Sequence, residues 1–439
     1  MPFENPIFYV EKVKNLIDSG RDVEESRLRK AGEYLGTPLK RVEVFQSRYN
    51  EVFTRFIEKR CSKAYDEYQV CIYSWNRRRA FKSFPVSNYA TGTVIIFRGG
   101  EPLEVLSTPL PKALDYIEGS EPVEIDRIPL HVSKRIDGWQ VNAYYDKILG
   151  RWIFSTRYVL HNMYFQAGRL KIDPYGEISN PIILVADSIA REYDLYNRLE
   201  RFRGWVFIFS LLGPEPAITS PPYPIEADVR NYKLYLIAAR DSEGVLQPAS
   251  AVSSRIEWDL YAEEIERKSI LDLYREVRNS LTLRSYIAWF ENSGLDPLLV
   301  EIPSRYYYDA MMVKHLHDAK SAVVLCSESE DLCRSVMDLV SDDTPRTSIN
   351  LIMDLVRIFE KKLSETKDLE RVSKEIYRFI LDLKSVKAVA SEEILKELTS
   401  GNIRRLVKKI LSIVFEEHSL ASEDTRVLID EIKKFLEKI

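Results

Sequence analysis

The sequence predicts a mixed, mainly antiparallel α+β fold that ends in an all-helical domain. Three features carry that expectation. Helical apolar spacing opens the chain, β-rich runs separated by turn residues then follow without a regular alternation of strand and helix, and after Pro345 apolar residues recur at three- and four-residue steps.

From Pro2 to Thr54 the apolar residues Phe8, Val13, Leu16 and Ile17 fall at helical spacing, and Gly36-Thr37-Pro38 punctuates the segment. The texture changes near residue 65. Gln69-Val70-Cys71-Ile72-Tyr73, Thr93-Val94-Ile95-Ile96-Phe97 and the run from Trp139 to Tyr144 are β-rich and bounded by Gly, Pro and Asp. Strands are expected again at Trp152–Ser155, Ile182–Val185, Trp205–Phe209 and Lys233–Ile237, with helices over 187–203 and 269–292. Beyond Asp342-Asp343-Thr344-Pro345, the positions Ile349, Ile352, Leu355, Val356, Phe359 and Leu363 repeat on one helical face. The expected organisation is a helical segment over 1–64, a strand-rich segment over 65–130 packed on the core, a main domain over 131–344 and a helical domain over 345–439.

A chain of 439 residues that is 45% hydrophobic can bury a large core and divide into domains. Its 63 basic and 67 acidic side chains nearly cancel, so a nucleic-acid surface has to be a local patch. There is no apolar run of roughly 18 residues and no basic stretch leading into an apolar segment, so no membrane partner is expected and the cytoplasm is the expected location. Cys61, Cys71, Cys326 and Cys333 lack Cys-x-x-Cys spacing, which points to buried free thiols. The 30% of charged residues resembles the bias of thermophile proteins.

Chemistry is concentrated around Lys134-Arg135-Ile136-Asp137-Gly138, which leads into the aromatic run at Trp139. Landmarks on either side are Thr91–Phe97, Thr108-Pro109-Leu110-Pro111-Lys112, Ser155-Thr156-Arg157, Gly213-Pro214-Glu215 and Ser220-Pro221-Pro222-Tyr223. Lys233–Ile237, Asp296–Glu301 and Val313-Lys314 complete the series. In this order they resemble the archaeal homodimeric ATP-dependent RNA ligases over most of the chain. The resemblance implies a nucleotidyltransferase fold of the ATP-grasp-like DNA/RNA ligase kind, in which a lysine of Lys-x-Asp-Gly is adenylylated. It further implies ATP and Mg as cofactors, RNA as substrate and a dimerising helical tail.

Covalent nucleotidyl transfer needs a nucleophilic amine, carboxylates that hold a divalent metal and cations that neutralise the phosphates. By resemblance, Arg135 holds the nucleophile's seat, with Lys134 beside it and Asp137 and Asp296 as the acidic positions. Gly138, Arg157, Tyr235 and Lys314 hold the nucleotide-binding positions, Tyr235 as the ring that stacks on adenine. The departures from the pattern are Arg135 for lysine, Ser210 for glutamate, Leu236 for an acid, Asp296 for glutamate and Glu301 for lysine. Arginine keeps its proton at any working pH and is a poor nucleophile. Lys134 is one residue away, and strand alternation would turn it to the other face unless a bulge intervened.

Apart from that resemblance, Arg77, Arg78, Arg79 and Lys82 interleave with Trp75, Phe81 and Phe84 in a composition suited to phosphate contacts and base stacking, and Lys112 is a further basic candidate. His315-Leu316-His317-Asp318 carries metal-capable side chains but lacks a second spaced pair, so no metal site is expected. Three functional expectations follow. One is a catalytically degenerate RNA-ligase relative that binds nucleic-acid ends or a partner, with ATP and Mg only where nucleotide binding is retained. Another is an active ATP-dependent RNA ligase working through Lys134. The last is a scaffold that pairs through 345–439, as homodimer or hetero-oligomer, with an active paralogue or ribonucleoprotein.

Overall fold

The computed structural model describes residues 3–62, 67–76, 81–173, 175–213, 229–292, 296–366, 368, 371–372, 375–376, 378–379 and 402–438. The chain divides into two compact units, Met1–Arg275 with Ser285–Pro303, and Glu276–Arg284 with Ser304–Ile439. The second unit therefore takes in helices that precede residue 345. The fold class is mixed α+β with mainly antiparallel sheets and C-terminal helices, as the sequence leads one to expect.

The first unit opens with α1 (Pro6–Asp18), α2 (Glu25–Tyr34) and α3 (Val42–Arg55). Asn5 caps α1 by accepting the N–H groups of Ile7 and Phe8, and Pro6 occupies the first turn, where its missing N–H costs nothing. The apolar faces of these helices pack on a four-stranded antiparallel sheet of β1 (Ile57–Cys61), β2 (Tyr68–Trp75), β3 (Thr91–Arg98) and β4 (Glu101–Ser107), with the short helix α4 (Pro85–Tyr89) leading into β3.

Further along come β5 (Leu114–Asp115), β6 (His131–Lys134), β7 (Trp139–Asp146), β8 (Arg151–Thr156) and the hairpin of β9 (Met163–Gln166) and β10 (Arg169–Ile172). They are followed by α5 (Pro181–Glu192), α6 (Leu195–Leu199), β11 (Val206–Leu212), β12 (Lys233–Arg240), β13 (Leu246–Pro248), α7 (Ala249–Ser253), α8 (Ile270–Val277), β14 (Ser285–Phe290) and β15 (Leu298–Pro303). A five-stranded antiparallel sheet runs β13-β12-β11-β7-β8, and a four-stranded sheet runs β5-β15-β14-β6. One face of the five-stranded sheet buries Val141, Phe154, Phe207, Phe209 and Leu236 against α5, α6 and α7. Tyr144, Ile153 and Ile208 belong to a different core, shared with Trp289 and Leu299 of the four-stranded sheet.

Two sequence expectations change here. Ile182–Val185 is the first turn of α5 and not a strand. Asn180 accepts the N–H groups of Ile182 and Ile183, Pro181 starts the helix, and Ile183, Ala186 and Ile189 then share its buried face. The cap outweighs the β-branched run. Helix over 269–292 shrinks to α8, because Ser285–Phe290 is the central strand between β6 and β15, and pairing on both edges overrides the helical spacing.

The second unit is helical: α9 (Tyr307–Leu316), α10 (Ala319–Glu328), α11 (Glu330–Leu339), α12 (Asp343–Glu365) and the helices Ile403–Val414 and Glu423–Lys438. The stripe Ile349, Ile352, Leu355, Val356, Phe359 and Leu363 lies inside this unit's own core. No helix among the described residues is long and apolar enough to cross a membrane.

The expectation of free thiols is overturned, and no free cysteine remains. Cys61 and Cys71 stand directly opposite across β1 and β2, their Cα atoms 4.0 Å apart, and form a disulfide. Cys326 of α10 and Cys333 of α11 form the other, with Cα atoms 4.4 Å apart. Strand register and helix packing created these pairs, and neither can be read from spacing. Thiol titration of the denatured, unreduced protein is expected to find no reactive thiol, and four after reduction; four before reduction would contradict the pairing.

Candidate active site

A cavity of about 980 Å³ opens in the first unit, lined from β6, β14 and β15 of one sheet and from β7, β8, β11 and β12 of the other. The β9–β10 hairpin, the start of α5 and the loop 110–113 complete its wall. That volume is at the upper end for small-molecule sites. Four cations, Lys112, Lys134, Arg135 and Arg157, reach its lining, and no carboxylate does among the described residues. Trp139, Tyr158, Tyr164, Phe165 and Trp289 supply rings, and Ile237, Ile287 and Leu299 supply aliphatic surface. Such a wall suits a ligand that is planar and apolar at one end and anionic at the other.

The pentapeptide sits at the end of β6. Lys134 is the last strand residue, paired with Tyr286, and Arg135 follows outside the ladder, its N–H donating to the Ser285 carbonyl at 3.0 Å. Strand alternation therefore does not separate the two, and both line the cavity, contrary to the expectation that Lys134 needs a bulge to reach it. Arg135 donates through Nη1 to Glu301, whose other oxygen accepts from Ser285 Oγ at 2.9 Å. Arg135, which the resemblance puts at the nucleophile's position, thus meets in one ion pair the glutamate that stands where the resemblance leads one to expect lysine. Lys134 Nζ lies 2.7 Å from Glu263 Oε2 on a more exposed edge.

Gly138 has φ +146°, and a Cβ there would overlap the Leu211 carbonyl and come within 2.8 Å of Ser210 Oγ. Only glycine lets the pentapeptide close onto β11 this tightly. Ser210, where the resemblance leads one to expect glutamate, lines the cavity and donates weakly to the Ile136 carbonyl at 3.4 Å. It ties the loop down and adds no charge. Asp137 lies in the same loop but is not part of the lining.

Arg157 is set by a turn in which Thr156 Oγ1 accepts the N–H groups of Tyr158 and Val159 at 3.1 and 3.0 Å. Its guanidinium lies 4.9 Å from the Trp75 ring, whose Nε1 donates to Tyr158 Oη at 2.8 Å. Lys112 Nζ stands 4.3 Å from the Phe81 ring and 5.2 Å from Trp75. Lys112 and Arg157, with Trp75 and Phe81, thus form one cluster of cations and rings beside the cavity. Lys82 is exposed and outside the lining. Arg77, Arg78, Arg79, Pro214, Glu215 and Ser220–Tyr223 fall outside the described residues.

Other expected site residues are placed elsewhere. Asp296 is buried away from the lining, accepting two hydrogen bonds from Arg240 and one from Tyr89 Oη at 2.8 Å. Tyr235 is half-buried opposite Ser210 and does not line the cavity, whereas Ile237 does. Leu236 is fully buried in the core behind the sheet. Lys314 lies on α9 of the second unit, and His315 and His317 close that helix.

Among the described residues no group of three His, Cys, Asp or Glu side chains could hold a metal ion. The carboxylates touching the pentapeptide, Glu263 and Glu301, each face a cation. The cationic and aromatic wall suits an anionic ligand that carries a ring.

No protein-family model and no curated protein matches the sequence. Among solved structures, the chain is similar to an archaeal ATP-dependent RNA ligase, form 1, at 14% identity and a TM-score of 0.40, over 81% of this chain and 83% of that one. Form 2 gives 12% and 0.37 over 75% and 78%. A mutant Naegleria gruberi RNA ligase with ATP and Mn gives 9% and 0.29 over 57% and 97%.

Residues that the sequence reading missed are Arg240 and His161. Arg240 carries no signal beyond being an arginine at the end of a strand. Asp296→Asn leaves its guanidinium charged and unpaired in the interior and is expected to cost about 3–5 kcal/mol in denaturant unfolding; wild-type stability would refute that role.

His161 is buried, its Nε2 3.0 Å from the Gly176 carbonyl, and its backbone carbonyl accepts the Asn180 N–H that begins the turn into α5. Burial pushes its imidazole down to about 4. The unfolded chain therefore binds the proton more tightly, so this contribution is fully present above about pH 6.5 and is lost as pH falls toward 4. The loss is expected to be on the order of 3 kcal/mol, and His161→Gln should flatten that part of the stability profile. A variant as pH-sensitive as wild type would show the dependence to lie elsewhere.

Proposed function

We propose that this protein is a catalytically degenerate RNA-ligase-like nucleotidyltransferase that binds a nucleotide or an RNA end in the cavity without forming a nucleotide-lysine adduct. The observation that carries this reading is the Arg135–Glu301 ion pair at the seat of the nucleophile. A guanidinium holds its proton and has no free lone pair to attack an α-phosphate. Glu301 beside it adds negative charge where the developing phosphorane would need positive charge.

Binding needs none of these missing parts. Lys112, Lys134 and Arg157 offer charge-assisted hydrogen bonds to phosphate oxygens, and the aromatic wall offers ring faces to a base. A nucleotide held this way raises the melting temperature by ligand linkage.

Lys134 favours one second reading, an active ligase, because its amine shares the cavity with Arg135. Incubation with α-labelled ATP and a divalent metal separates the two. The expected result is an upward thermal shift with ATP and no covalent label. A labelled protein that loses its label in Lys134→Ala but keeps it in Arg135→Ala would overturn the degenerate reading in favour of the active one.

A further inference from the structure

We propose a second nucleic-acid site in the first unit, outside the cavity: a strip formed by Arg198, Arg201 and Arg203 with Arg255, which binds the phosphate backbone of single-stranded RNA. Arg201 and Arg255 lie over the same Phe202 ring at 5.0 and 5.5 Å, and Arg255 also covers Trp205 at 4.8 Å. Arg203 covers Tyr145 at 4.4 Å. None of these side chains lines the cavity. Phe202, Trp205 and Tyr145 belong to the core on the α5 side of the five-stranded sheet.

The arginines are tied together by the chain itself. Arg198 donates to the Glu257 carbonyl and Arg201 to the Arg255 carbonyl, so the turn 198–205 is fixed to the segment that follows α7. Those carbonyls orient the guanidinium groups but leave their charge uncancelled. Arg203 pairs with Glu200, but among the described residues no carboxylate forms an ion pair with Arg198, Arg201 or Arg255. Two cations on one ring lie within roughly a Debye length of each other, an arrangement that stores repulsion until an anion arrives.

The shape selects the anion. A guanidinium has five N–H donors in a planar fork that matches a phosphate, and a single carbonyl contact leaves most of them for outside acceptors. Exposed guanidinium groups set side by side over a buried ring suit single-stranded nucleic acid, whose backbone phosphates are accessible along its length. This site stands apart from the cavity and does not depend on whether the pentapeptide is reactive.

The test uses the full chain and a fluorescein-labelled single-stranded RNA, read by anisotropy across a salt series. Arg201→Glu/Arg255→Glu is expected to weaken binding at least about tenfold and to make the log–log salt slope shallower by about 0.7 for each phosphate that the variant no longer neutralises. Arg201→Lys/Arg255→Lys should retain the slope, and the ATP thermal shift should be unchanged in both variants, which separates this surface from the cavity and reports on folding. Wild-type protein that does not bind the RNA, a charge-reversed variant that binds as wild type does, or displacement of RNA by polyglutamate or inorganic tripolyphosphate at matched charge would each overturn the proposal.

Discussion

The buried guanidinium of Arg240 holds the first unit together. All five of its N–H groups are used: Nε reaches the Thr108 carbonyl, Nη1 the Gly244 carbonyl and Asp296, and Nη2 the Pro109 carbonyl and Asp296. Phe3 covers the group from its face at 4.5 Å. One side chain thereby joins the end of β12, the loop after β4 and the approach to β15, one attachment on each of the three large sheets. A buried ion pair gains its value from complete satisfaction of both partners, and here the carboxylate also accepts from Tyr89. The loop that this group pins at Thr108 and Pro109 continues into Leu110, Pro111 and Lys112 of the cavity wall.

Asp296 therefore contributes architecture where the resemblance suggested chemistry. Its carboxylate is committed to a cation that cannot leave, and the acid that pairs with Arg135 of the pentapeptide is Glu301, five residues further along. The exchange is self-consistent in electrostatic terms. Arg135, which the resemblance puts at the nucleophile's position, brings a permanent charge, and Glu301, where the resemblance leads one to expect lysine, neutralises it. Either residue without the other would leave an unbalanced charge near the cavity, and together they form a closed ion pair beside its cationic and aromatic wall.

Much of the architecture was legible in the residues. Strands at Gln69–Tyr73, Thr93–Phe97, Trp139–Tyr144, Trp205–Phe209 and Lys233–Ile237, and the helical stripe after Pro345, follow from local periodicity and turn chemistry. The failures are local signals overruled by a stronger one. Asn180 and Pro181 turned an Ile-Ile-Leu-Val run into a helix, and pairing on both edges turned Ser285–Phe290 into a strand. Lys134 and Arg135 share a cavity because β6 stops between them, a boundary that periodicity does not mark.

By itself the sequence determined the fold class, the place of the pentapeptide before an aromatic strand and the proton that Arg135 cannot lose. These follow from properties carried by single residues or short windows. Only the tertiary structure decided which groups meet: Arg135 with Glu301, Arg240 with Asp296, Cys61 with Cys71, Gly138 with the Leu211 carbonyl, Arg201 and Arg255 on one ring. Each of those pairings depends on strand register or on the packing of distant segments, and Coulomb energy and bond formation depend on separation in space, which position along the chain does not contain.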